Sequence, residues 1–155
     1  MMKKIVICGL IVLFVALAFN PVNAIDEEGY IIDVAGIPFK IPNSFHADDD
    51  LGFDEDNTDA DGDYVHLYGI GFLDEYIGED DPIGDMIFIS AKTRYNEPYG
   101  PNDYSHALGD QKTIAGKTGH YYAPEHRFTY VDQGVWLSVE APNLEMIEYC
   151  INATS

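Results

Sequence analysis

The last third of the chain alternates apolar and polar residues in short runs cut by glycine turns, and no other feature narrows the possible folds as much. Lys112 to Ile114, Thr118 to Tyr122, Arg127 to Val131 and Val135 to Ala141 each show the period of two that puts alternate side chains on opposite faces of a strand. Turns at Ala115-Gly116-Lys117 and Asp132-Gln133-Gly134 separate them, so the pattern predicts a β-meander.

Similar signals occur upstream. Tyr30 to Val34 and Ile37 to Ile41 flank Ala35-Gly36 and read as an opening hairpin, with Pro38 on an edge because proline cannot donate to a ladder. Tyr64 to Phe72 and Asp85 to Thr93 read as two further strands. Between them, Asn43 to Asp63 is rich in Asp and Gly and poor in β-branched residues, which predicts a long loop, acidic at about residues 46–63. Asn96 to Asp110 contains Pro98, Gly100, Pro101 and Gly109 and predicts a connection with one helical turn at Ser105 to Leu108. After Pro142, Asn143 can cap a helix in which Leu144, Ile147, Cys150 and Ile151 share one face. Strands first and a helix last predict one α+β domain, an antiparallel meander sheet packed against helices.

The N-terminus predicts export. Lys3 and Lys4 precede an apolar run from Ile5 to Phe19, and Val22-Asn23-Ala24 offers small residues to a signal peptidase. Residues 1–24 are thus expected to be a cleaved leader and 25–155 the exported domain, secreted or held at the cell surface. The run is shorter than the roughly 20 residues of a membrane span, although retention as an anchor is the alternative. Lys3 and Lys4 are two of eight basic residues, so the remainder carries 27 acids against 6 bases, a formal charge of −21. A surface so negative repels phosphate backbones and anionic headgroups, which excludes nucleic acid and, once the leader is gone, membrane. It suits cations and partners at the cell exterior, whether protein or glycan. With 11 Tyr, 8 Phe and one Trp the chain has ample material for a core, where Trp136 is expected. Cys150 is the one cysteine after the leader, so no internal disulfide forms and the thiol is expected to be buried.

Asp33 to Phe45, Lys117 to Tyr122, Phe128 to Trp136 and Ala141 to Asn143 together resemble the PsbP/Mog1-like sandwich and small exported proteins of methanogenic archaea. The resemblance covers about half of the mature chain. It implies an antiparallel sheet between helices and an accessory or binding role, without a catalytic signature.

Asn57-Thr58-Asp59-Ala60-Asp61-Gly62-Asp63 matches the first half of a calcium loop, with side-chain oxygens at positions 1, 3 and 5 and Gly at 6. Position 12 is Tyr68 and a strand follows, so this is no EF-hand. The expected ligands of Ca²⁺ are Asn57, Asp59 and Asp61, with Asp63 through its carbonyl and a further carboxylate from Asp54, Asp56, Asp74 or Glu75. Nine acids within residues 48–63 repel one another, which favours a bound cation. A solvated loop of turn-forming residues is the alternative.

The five histidines show no helical zinc spacing, since Pro124 interrupts His120-x4-Glu125-His126. A hydrolase using His120 or His126 as base is a third class, but no nucleophile motif accompanies either. Tyr95, Tyr99 and Tyr104 lie in the Pro/Gly connection, where exposed rings suit a sugar or a protein, whereas Tyr64, Tyr68, Tyr121, Tyr122 and Tyr130 are expected to pack on sheet faces. Asn152-Ala153-Thr154 is a glycosylation sequon. The reading is an exported, non-catalytic binding or accessory domain stabilised by calcium, with an ion-independent adhesin or carbohydrate-binding module as the rival.

Overall fold

A computed structural model describes residues 28–74, 85–103 and 106–153 of the 155. Residues 1–24, expected to be a leader, and Glu75, Tyr104, Ser105 and Thr154 lie outside them, so the helical turn expected at Ser105 to Leu108 is only partly within view.

The glycine turns form as the sequence dictates. Ala35-Gly36, Ala115-Gly116 and Gln133-Gly134 each pair two positive φ angles (54° and 85°, 48° and 75°, 49° and 80°). Two left-handed residues in succession make a type I′ turn, whose twist matches that of the strands it joins. The turns are one residue tighter than the sequence suggested at Lys117 and Asp132, both of which already belong to strands.

The hairpin β1 (Gly29–Val34) and β2 (Ile37–Pro42) forms a sheet of its own, with Pro38 opposite Asp33. The strands β3 (Phe45–Thr58), β4 (Tyr64–Asp74), β5 (Met86–Arg94), β6 (Asp110–Ile114), β7 (Lys117–Tyr122), β8 (Arg127–Asp132) and β9 (Val135–Glu140) make a second sheet in the order β3-β4-β5-β9-β8-β7-β6. Each neighbouring pair in it is antiparallel.

One face of the large sheet holds the core. Phe72, Ile87, Ile89, Leu137, Val139, Phe128 and Tyr130 pack there against Val34, Ile37, Phe39 and Ile41 of the hairpin. Phe39 and Ile41 are fully buried, and each such side chain contributes about 2–3 kcal/mol of hydrophobic stabilisation. The helix α1 (Leu144–Ile151) begins at Asn143, whose Oδ1 accepts from the Met146 amide at 2.9 Å, and it adds Ile147, Cys150 and Ile151 to the same cluster.

Two expectations are corrected. The domain is a β-rich sandwich and not an α+β fold with its sheet packed against helices: the hairpin covers the core face, and α1, eight residues long, is the one α-helix among the described residues. The β-branched and aromatic residues of β1 and β2 do the covering that was assigned to helices. The acidic stretch is also not a loop. Phe45–Thr58 is a strand paired along β4, interrupted where Asp49–Gly52 stands opposite Ile70 alone. β3 is an edge strand with both faces largely in water, so it has no need of apolar alternation, and its carboxylates discourage pairing with a second molecule. After the bulge the ring of Phe53 lies flat over Gly69, where an added Cβ would come within 2.5 Å of it.

Candidate functional site

The turn joining β3 to β4 is built around Asp59. Its Oδ1 accepts from the amides of Asp61 and Asp63, both at 3.0 Å, and Gly62 supplies the left-handed residue (φ 87°). Partial desolvation pushes the Asp59 carboxyl up. Those two N–H groups and the charges of Lys92 and Arg94 outweigh it and hold the carboxyl below the usual carboxylate range.

A cation does meet this acidic turn, and it belongs to the protein. Arg94, at the end of β5, places Nε 3.0 Å from Asp63 Oδ2, off the line of a hydrogen bond, and Nη2 3.9 Å from Asp61 Oδ2. Its Nη1 donates to Asp103 Oδ2 at 2.9 Å. His106 Nε2 sits 3.2 Å from Asp61 Oδ1. The other proposed calcium ligands point elsewhere: Asn57 Oδ1 accepts from the Thr58 amide at 2.8 Å, and Asp54 and Asp56 flank the His66 ring at 3.2 and 3.0 Å. Asp74 pairs with Phe45, ten residues along β4 from Tyr64 and so about 30 Å from the turn. Among the described residues no group of three or more His, Cys, Asp or Glu is arranged to hold a metal ion.

The tyrosines divide. Tyr99 is not exposed: it is 5% accessible, its amide donates to Gly134 O at 2.9 Å, and Arg94 lies over its ring at 4.1 Å. Burial pushes its hydroxyl up to about 12. Tyr95 is exposed, stacks on Tyr64 at 5.1 Å and donates to Asp56 Oδ1 at 2.6 Å, a bond that raises its own pKa to about 12 and lowers that of Asp56. Tyr64, expected to pack on a sheet face, is half exposed beside it. His120 Nδ1 approaches Gly109 O at 3.1 Å and His126 Nδ1 meets the Tyr121 hydroxyl at 3.0 Å. Asn152 is exposed at the end of α1.

Sequence reasoning missed a hollow on the outer face of the large sheet. Val65 and Tyr99 are buried yet stand apart from the main core cluster. They belong to a second apolar patch, against which the segment after β5 folds back. Beside them opens a hollow of about 340 Å³, lined by Phe53, Val65, Leu67 and Trp136, with Asn57, Asp59, Ser90 and Lys92 supplying polar groups. That is the size and mixture of a small-ligand site. Trp136 is thus not in the core: it pairs with Lys92 across β9 and β5, and Lys92 Nζ lies 4.7 Å from its ring. The sequence did carry the signal, because Val135 and Leu137 line the core and period two must turn Trp136 the other way. Ser138, opposite Ser90, is buried on the same face, and among the described residues its Oγ has no hydrogen-bond partner.

No family model, curated protein or solved structure matches the chain.

Proposed function

We propose that the protein is an exported, non-catalytic binding module that takes a glycan in the outer hollow. The observation that carries this reading is Trp136, whose ring lines an apolar floor beside Asn57, Asp59 and Ser90. A sugar presents just such a combination in return, with C–H groups for an aromatic face and hydroxyls for the polar rim.

Three further features support a binding role. The ionisable clusters near the hollow are engaged in holding structure: Arg94 with Asp61, Asp63 and Asp103, and His66 with Asp54 and Asp56. Cys150, the one free thiol among the described residues, is buried and raised to about 12, which removes it as a nucleophile near neutral pH. The leader-like N-terminus directs the domain outward, where glycans are abundant. The aromatic surface in this account is therefore Trp136 and Phe53, and not the Tyr99 loop.

A glycan array probed with labelled protein tests the proposal. Binding to a subset of glycans, lost in Trp136→Ala and kept in Tyr95→Ala, is the expected result. Binding that survives Trp136→Ala, in a variant that melts as the parent does, contradicts it.

A further inference from the structure

The chain has few cations, and the way each is used narrows the ligand. Arg94, Lys117 and Arg127 are ion-paired within the fold, to Asp63 and Asp103, to Asp132, and to Glu125 and Glu140. Lys92 differs. Among the described residues no carboxylate lies within 4.0 Å of its ammonium, which instead sits between two rings, 4.7 Å from the centre of Trp136 and 5.3 Å from that of Tyr99.

Aromatic faces orient an ammonium without neutralising it, and they leave its N–H donors open on the other side. Here that side is the hollow, which Lys92 lines. Asp59 lines it too, but one of its oxygens already accepts two backbone N–H groups and the other faces the Tyr99 hydroxyl at 3.4 Å. A neutral sugar would leave the half-buried Lys92 ammonium without a direct ionic contact, since Asp59 acts on it only at longer range, an arrangement that costs binding energy.

Resting on the glycan reading above, we infer that the hollow selects a carboxylated sugar, a uronate, whose carboxylate meets the Lys92 ammonium while its ring lies on Trp136. The overall charge of the protein does not forbid this. Long-range repulsion is screened within about 8 Å at physiological salt, and Asp59, the one carboxylate lining the hollow, is turned to two backbone N–H groups and the Tyr99 hydroxyl, so Lys92 governs the ligand at contact. Selection therefore weakens at high ionic strength less steeply than a purely surface pair would, because the aromatic rings exclude part of the solvent.

Trp136 is the only tryptophan of the chain, so its emission reports on the hollow directly. The test titrates purified protein with digalacturonate and with its neutral counterpart digalactose, following emission excited selectively in tryptophan. The expected result is a saturable change with digalacturonate at an affinity at least about tenfold tighter than for digalactose, as a charge-assisted hydrogen bond provides. Lys92→Met, which removes the charge and keeps an unbranched side chain, erases the preference, and Lys92→Arg keeps it. Equal binding of both sugars, or a preference that survives Lys92→Met, overturns the uronate assignment and leaves the glycan site standing. No response to either sugar, in protein whose circular dichroism is native, overturns both.

Discussion

Arg94 and Tyr99 form a lock between the acidic turn and the outer face of the sheet: the guanidinium lies 4.1 Å from the ring centre and at the same time contacts Asp63 and Asp103. The arginine side chain is only 11% accessible, so water shields these contacts less than at an open surface. One residue thus offsets the repulsion within the turn and anchors the segment after β5.

Removing that charge should be costly. Arg94→Met is expected to destabilise the fold by about 2–3 kcal/mol, because it strands carboxylates that are partly out of water. Arg94→Lys should recover part of this, since a point charge cannot meet two carboxylates as a planar fork does. Urea unfolding of the three proteins measures both differences, and a loss below about 0.5 kcal/mol in Arg94→Met would show that the pairs behave as ordinary exposed ones.

Calcium should have little to add. With Arg94 in place, millimolar calcium is expected to move the melting temperature by less than about 1 °C, since a ligand stabilises only where the native state binds it. A calcium-dependent rise of several degrees, reversed by a chelator, would show that the carboxylates rearrange around the ion.

The Tyr95–Asp56 bond gives an alkaline signature. The folded pKa of Tyr95 is raised from 10.0 to about 12, chiefly because its hydroxyl donates to Asp56. A raised value favours the protonated form in the folded state, so this contribution is complete below pH 10 and lost as the pH rises towards 12. Tyr95→Phe should therefore lower stability at neutral pH and flatten the decline between pH 10 and 12. Melting curves across that range check it, and parallel curves for the two proteins would contradict it.

Cys150 should be inert until the protein opens. Its thiol is fully buried among the residues of α1 and the core, and desolvation raises it to about 12. A thiol reagent at pH 8 is expected to label it only at the rate of unfolding, within urea concentrations that open the core. Rapid labelling of native protein would place the thiol at the surface.

Much of the fold was legible because the relevant forces are local. Two residues with positive φ mark each type I′ turn, period two marks the strands that line the core, and Asn143 caps α1 where the spacing of Ile147, Cys150 and Ile151 begins. β3 was hidden because an edge strand bathed on both faces needs no apolar pattern, and its Asp and Gly residues imitate a loop. The helical cover was over-read because the hairpin β1-β2 looks like any other pair of strands until its partner face is known.

The candidate site was less legible. Asp59, Asp61 and Asp63 share one turn while Asn57 stays in β3, and the cation that Asp61 and Asp63 face comes from Arg94, remote in sequence and next to them only through the pairing of β4 with β5. Lys92 and Trp136 come together through the β5–β9 pairing, across more than forty residues, and no local motif announces it.

The most direct measurement is the map of amide and indole resonances that move when digalacturonate is added to isotopically labelled protein. Saturable shifts concentrated at Phe53, Leu67, Ser90, Lys92 and the Trp136 indole, with Tyr64, Tyr95 and β6 unmoved, are the expected result. Shifts centred on Tyr64 and Tyr95, or none at all, would contradict it.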